Sequence, residues 1–207
     1  MTRTTLFVAA LATCWLGAAV AQNDDRDKTA TAIFAGGCFW CTDADFEKVP
    51  GVLSARSGYI GGSTQDPTYK QVSSGATRHT EAVEDRYDPA QVTYDELLRV
   101  FWRSIDPLAE NRQFCDTGTQ YRSGIFYRGE QQREQARASL RALQKGAGLE
   151  GEIHTEITRA GTFWPAEDYH QDYYKKNPVR YRYYRFSCGR DARLRDIWGD
   201  EAGWIPG

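Results

Sequence analysis

Methionine is nearly missing from this chain: Met1 is the only one in 207 residues. An excess of one charge is missing too, because 26 Lys and Arg stand against 28 Asp and Glu with the signs interspersed. Nothing in that balance argues for nucleic acid or an anionic membrane surface as a partner. No internal repeat, low-complexity tract or interdomain linker interrupts the sequence, and the length fits one domain with a core of ordinary size. There is no second C-x-x-C and no H-x-x-x-H pair, so zinc is not expected. A long apolar run is lacking as well. The longest, from Leu6 to Val20, is too short for a comfortable membrane span.

That run has another reading. Met1-Thr2-Arg3 supplies a positive start, and Ala19-Val20-Ala21 forms an A-x-A cleavage site ahead of Gln22. Residues 1–21 are expected to be a secretory signal peptide, 22–30 a disordered polar linker and 31–207 the folded domain. The expected location is periplasmic or secreted, with no membrane association after cleavage. Cys14 would leave with the signal; lipidation there is disfavoured by Thr13 before it. Four cysteines then remain: Cys38, Cys41, Cys115 and Cys188. In an oxidising compartment an even number usually means structural bridges, but Cys38 and Cys41 are spaced to reach each other and point to redox work.

The hydropathy pattern is mixed α and β. Strands are expected at 32–35, 52–59, 81–87, 124–127 and 153–157, the last with His154 facing solvent. Helices are expected from Cys38 to Lys48, from Thr93 to near Pro107 and from Glu130 to Lys145, closed by Gly146. The tail after Pro178 reads as irregular in part.

The most informative segment is Gly36-Gly37-Cys38-Phe39-Trp40-Cys41. A short apolar strand ends in two glycines, and Cys38 opens a helix. Unpaired N–H groups and the positive dipole end at that position favour a thiolate. Phe39 and Trp40 place large apolar surfaces beside the sulfur, which suits attack on a small apolar electrophile. A buried core position is the commoner fate of a lone cysteine; the glycines, the aromatics and Cys41 argue against it at this position. Glu81 is the second residue of interest. It shares a strand face with Val83 and Tyr87, where desolvation would hold its carboxyl protonated. From spacing alone, a strand-end glutamate facing water is the commoner outcome.

Gly-Gly-Cys-Phe-Trp resembles the active-site signature of the A-type peptide methionine sulfoxide reductases. Further blocks follow in the order of that family: Pro67-Thr68-Tyr69, His79-Thr80-Glu81-Ala82-Val83 with Tyr87-Asp88-Pro89, Asp116-Thr117-Gly118-Thr119-Gln120-Tyr121-Arg122-Ser123, and Ala166-Glu167-Asp168-Tyr169-His170-Gln171. The resemblance runs from about residue 31 to 178. It implies an α+β fold, a single-domain two-layer α/β sandwich with a mixed sheet and a partly irregular C-terminal tail. It reverses the odds on Glu81 in favour of a general acid. A protein that handles oxidised methionine also has reason to lack methionine of its own.

The implied reaction is thiol-dependent reduction of methionine (S)-sulfoxide, free or in proteins, with no bound cofactor. Cys38 attacks the sulfoxide sulfur, whose methyl group rests against Phe39 and Trp40. Glu81 protonates the oxygen, Tyr69 and Tyr121 hydrogen-bond it, and Asp116 orients that network or the incoming water. His79 and His170 are assigned structural support. Cys38 is left as a sulfenic acid, a second cysteine condenses with it, and a thioredoxin-like dithiol restores the enzyme. Cys188 is the expected resolving cysteine because a mobile tail could swing onto Cys38; Cys41 ranks second and Cys115 third.

The chain departs from the family in three places. Cys41 stands where many members have glycine, the tail around Cys188 is not glycine-rich, and Thr80 replaces the usual alanine. A monomer is expected. Two other functions are weighed against this one. A C-x-x-C disulfide oxidoreductase would need a strand-helix-strand unit before Cys38, and only residues 22–37 are available after cleavage. A non-catalytic secreted module would use its cysteines as structural bridges.

Overall fold

The computed structural model of the protein describes Met1 and residues 29–146 and 148–207. The expected signal peptide, apart from Met1, and nearly all of the expected linker lie outside the described residues. The main sheet has six strands: β1 (Ala30–Gly36), β2 (Val52–Ile60), β3 (Thr80–Tyr87), β6 (Ser123–Tyr127), β7 (Glu156–Arg159) and β8 (Trp164–Pro165). Their spatial order is β7-β6-β1-β3-β2-β8, antiparallel except for the parallel β6–β7 pair. Two short strands, β4 (Arg112–Gln113) and β5 (Asp116–Thr117), form a separate ribbon.

Register decides what the sheet presents to its helices. Phe34 opposes Val83, Ala32 opposes Asp85 and Tyr59 opposes Glu81. Directly opposed residues share a face, so Glu81, Val83 and Asp85 all point to the side of Phe34. That side carries α1 (Phe39–Phe46), α3 (Tyr94–Arg103), α4 (Glu130–Gly146) and α7 (Arg190–Trp198). Phe34 stacks between Phe46 and Phe101, at centroid distances of 4.9 and 5.1 Å. Leu97, Leu98 and Phe101 of α3 are fully buried there, and each such side chain stabilises the fold by roughly 1.5–3 kcal/mol. The start of α3 is fixed by a capping box, in which Glu96 N–H donates to Thr93 Oγ1 and Thr93 N–H donates to Glu96 Oε2. The other face of the sheet, with Ile33, Ala35, Ile60, Ala82 and Phe126, is covered by Ala160 and Phe163. Helices thus lie on one side of the sheet and a loop on the other.

Two expectations shift. The strand expected at 153–157 begins at Glu156, where pairing with Gly124 of β6 starts. Ile153 packs against the core without joining the ladder, and the Ser123 and Thr155 hydroxyls lie 2.9 Å apart. The tail is more regular than its composition implies. Pro178 opens α6 (Pro178–Ser187), Gly189 at φ 68° turns the chain, and α7 follows. Buried Tyr181, Arg190, Leu194 and Trp198 anchor these helices, so tertiary packing outweighs the weak helical propensity of a Tyr- and Arg-rich run.

Candidate active site

Cys38 is the N-cap of α1, immediately after β1. Gly37 makes the turn with φ 85°, and a Cβ there would lie 2.5 Å from Gln113 Cβ, so only glycine fits. The first orphan amide of the helix is satisfied from the sheet: Phe39 N–H donates to Glu81 Oε2 at 2.9 Å. One bond therefore locks the helix start, the acid and the nucleophile to each other.

Cys38, Phe39, Trp40, Tyr69, Glu81, Asp116, Tyr121 and Tyr184 line a cavity of about 70 Å³. That is roughly the liquid volume of two waters, room for a methyl sulfoxide head and not for a whole side chain with its backbone. Seven of these eight residues are the ones expected from sequence. A larger hollow of about 980 Å³, lined by Gly61, Arg78, Arg122 and Trp164 among others, holds no thiol, so size and cysteine chemistry point to different places.

The walls are rigid for identifiable reasons. Trp40 stacks at 3.7 Å on Tyr173, the first residue of α5 (Tyr173–Lys176), and donates its indole N–H to His170 Nδ1 at 3.0 Å. His170 is buried against Phe39, Tyr69 and Tyr169, and burial lowers its pKa to about 4. It is a neutral wedge behind the aromatic wall. Tyr69 opens α2 (Tyr69–Ser73), its N–H donating to Glu167 Oε1, while Tyr59 donates to Glu167 Oε2, both at 2.8 Å. His79 joins Gly62 N–H at Nδ1 and Thr64 O at Nε2, pinning the loop after β2.

The electrostatics favour a proton on Glu81. Burial pushes its carboxyl up to about 8, against the opposing bond from Phe39 N–H. Burial also raises Asp116, offset by the hydroxyl of Tyr184 and by Arg190. Tyr69 is raised to about 12, and Tyr121 further, mainly by burial. Such phenols stay protonated as hydrogen-bond donors.

The cysteines differ from the sequence reading in two respects, the ionisation of Cys38 and the bonding of Cys188, which was expected free on a mobile tail. Cys38 was expected as a ready thiolate, but burial pushes its thiol well up, reinforced by Cys41 and Glu81. Desolvation outweighs the helix end at this cap. The lowered thiol is Cys41. Cys38 hydrogen-bonds it, and the guanidiniums of Arg190 and Arg185 face it, against the cost of burial. Cys38 and Cys41 are free thiols in contact, whereas Cys188 is joined to Cys115 in a disulfide.

Tyr184 was missed by sequence reasoning. It lies on α6, donates its hydroxyl to Asp116 Oδ2 and meets the Cys38 thiol. Its spacing with Tyr181 and Cys188, three and four residues apart, is that of one helix face. That pattern is readable, but it lies in a tail whose composition reads as partly irregular.

The profile of the family described as peptide methionine sulfoxide reductase matches residues 30–202. The "Peptide methionine sulfoxide reductase MsrA/MsrB" of Vibrio cholerae is 49% identical over 84% of this chain, which spans only 46% of that longer protein. "Peptide methionine sulfoxide reductase MsrA 2" of Caulobacter vibrioides is 46% identical over 94% of this chain and 96% of its own length. Among solved structures, methionine sulfoxide reductase A of Corynebacterium diphtheriae is similar at TM-score 0.70 and 43% identity, covering 74% of this chain and 77% of that one.

Proposed function

The chain belongs to the peptide methionine sulfoxide reductase family, and from that premise we propose how its residues carry out the reaction. It reduces methionine sulfoxide to methionine and so repairs oxidised protein. The methyl group of the substrate sits against Phe39 and Trp40, with the sulfoxide oxygen toward Glu81, Tyr69 and Tyr121. As Cys38 adds to sulfur, charge builds on that oxygen and the proton of Glu81 meets it. The observation that carries this reading is the single contact set joining Cys38, the Phe39 N–H and a carboxyl lifted to about 8 around a 70 Å³ cavity. The raised Cys38 thiol fits an order of events in which substrate enters first and water leaves, with ionisation and attack following.

The protonated oxygen leaves the substrate sulfur as water. A water then attacks the Cys38 sulfur as the bond to the substrate sulfur breaks and methionine departs. Cys38 is left as a sulfenic acid, which a second thiol condenses to a disulfide with loss of water. A thioredoxin-like dithiol then returns the enzyme to its thiol form. The S epimer is the substrate, in free or peptidyl methionine, and the protein works as a monomer with neither nucleic acid nor membrane as partner. Its place of action is the periplasm or beyond, after removal of residues 1–21, on the support of the A-x-A site at Ala19-Val20-Ala21.

The test is reduction of N-acetylmethionine sulfoxide by dithiothreitol, with (R) and (S) epimers assayed separately. The wild type should consume the (S) form alone, and Cys38→Ser should fall below a tenth of wild type while keeping its circular dichroism spectrum. Insulin-disulfide reduction without sulfoxide turnover would replace this reading with a general disulfide oxidoreductase.

A further inference from the structure

Cys38 and Glu81 are tied to each other through the start of α1 and through β3, but Tyr121 stands outside both elements. It ends a single 3-10 turn, Thr119–Tyr121, strung between β5 and β6. The turn supplies few bonds of its own. Tyr121 N–H donates to Gly118 O at 2.9 Å, and the next bond, from Arg122 N–H to Thr119 O, is stretched to 3.4 Å. A phenol on so short a turn meets a substrate oxygen in one fixed place only if the turn is gripped from outside.

The grip comes from Thr80. This residue opens β3 and is fully buried. Side chains alternate along a strand, so Thr80 points to the face of Ala82 while Glu81 points to the face of Cys38. The Thr80 hydroxyl lies 3.0 Å from Gln120 O and 3.2 Å from Arg122 O, with Glu81 O farther at 3.4 Å. One hydroxyl hydrogen is thus shared between the carbonyls on either side of Tyr121, a three-centre bond. Of the turn's residues only Tyr121 lines the Cys38 cavity. The turn is held from the back of the sheet, and its phenol emerges at the front.

Gln120 extends the hold to the second phenol. Its Nε2 donates at 3.1 Å to the carbonyl of Ser73, the last residue of α2, the helix that Tyr69 opens. Gly118, at φ 132°, makes room for that side chain: a Cβ there would lie 2.4 Å from Gln120 Oε1. Neighbouring residues of β3 therefore reach both partners of the sulfoxide oxygen. Glu81 carries the proton, and Thr80 secures the segment that carries the hydrogen-bond donor.

We propose that the Thr80 hydroxyl is a positioning group for the reduction, aiming Tyr121 at the sulfoxide oxygen by gripping the carbonyls that flank it. This deepens the reductase reading and rests on it. The oxygen gains charge as Cys38 adds to sulfur, so a misaimed donor costs more in the transition state than in the bound ground state. The hydroxyl should therefore act on the rate of the first chemical step and little on substrate affinity.

The test follows the first methionine. Pre-reduced protein is mixed with excess N-acetylmethionine sulfoxide and no reductant, which separates the chemistry from recycling. Thr80→Val keeps the side-chain shape and removes the hydroxyl. Its single-turnover rate at saturation should fall about tenfold, with half-saturation moved by less than about twofold. Thr80→Ser, which restores the hydroxyl, should recover most of the rate. Because Thr80 acts through Tyr121, Thr80→Val/Tyr121→Phe should be no slower than Tyr121→Phe alone. A Thr80→Val protein as fast as wild type would overturn the clamp and leave the reductase activity standing. So would a Thr80→Ser protein as slow as Thr80→Val, or a double variant in which the two losses multiply. Thr80→Ala, which lacks the hydroxyl and crowds nothing, is the second variant. If both it and Thr80→Val are unfolded by circular dichroism, the hydroxyl serves folding and the positioning role falls. No methionine from the wild type would sink the activity and the clamp together.

Discussion

Glu81 and Asp43 are both carboxyls taken out of water on the same side of the sheet, and burial lifts them to about 8 and about 7. Their surroundings part company from there. Glu81 accepts Phe39 N–H and opens onto the Cys38 cavity. Asp43 faces Ser57 at 3.5 Å and the charges of Glu47 and Asp172, and its own charge acts on Asp85, which burial also raises. Asp43 Oδ1 and both oxygens of Asp85 have no hydrogen-bond partner, and neither residue lines the cavity. A lifted pKa marks desolvation in both places. It becomes chemistry only where a cavity, a nucleophile and a positioning bond meet it.

The largest effect that separates the two regions is expected from Glu81→Gln. The amide still donates a hydrogen bond but carries no transferable proton, so kcat/KM should fall by about 10²–10⁴-fold. Glu81 is competent while protonated. Wild-type activity with respect to this group is therefore present below about pH 8 and declines above it, and that alkaline limb should vanish in the variant. An unchanged rate and profile would reduce Glu81 to holding the start of α1, a structural carboxyl like Asp43.

A smaller effect tests whether the tail belongs to the site. Tyr184→Phe removes the hydroxyl that joins Cys38 to Asp116 while keeping the edge contact with Trp40 at 5.7 Å. Loss of one hydrogen bond is worth about 0.5–1.5 kcal/mol, which predicts a decrease in kcat/KM of about 2- to 12-fold. The Cys38 thiol, followed by the pH dependence of its alkylation, should titrate higher without that donor. Identical alkylation curves for wild type and variant would place Tyr184 in packing alone.

How much of this could be read beforehand depends on whether the cause was local. The turn at Gly37, the cap position of Cys38 and the face shared by Glu81 and Val83 follow from residue type and strand period, and all three could be read from the chain. The grouping of Tyr69, Asp116 and Tyr121 came from family resemblance, because their elements meet only through sheet order. The Cys115–Cys188 bond spans 73 residues and depends on where α6 docks, which no local pattern fixes. The state of Cys38 was misjudged for a similar reason. The helix end is local and favours a thiolate, but the burial that outweighs it comes from Tyr184, Tyr69 and Glu81, brought in from three distant segments. Asp43 and Asp85 drew no notice in sequence, since each alone looks like an ordinary surface acid.

The smallest effect concerns Asp43, and it is a stability effect with no catalytic counterpart. An aspartate titrates near 3.9 in an unfolded chain and near 7 at this site. Between those values the native state binds more protons than the unfolded state, so stability falls as pH rises. The contribution of Asp43 is complete below about pH 4, is lost progressively through about pH 7 and is absent above it. Asp85 and Glu81 act in the same direction, since burial raises both. Asp43→Asn removes one ionisation from the set and also relieves Asp85 of a neighbouring charge. Its thermal midpoint should therefore drop less than that of the wild type between pH 5 and pH 8, by a few degrees in scanning calorimetry. Its kcat/KM and alkaline limb should stay with the wild type, because Asp43 touches neither Cys38 nor the cavity. Parallel stability curves would mean that the carboxyl is already hydrated in the native state. A lost alkaline limb would mean that the second carboxyl region is wired to the first.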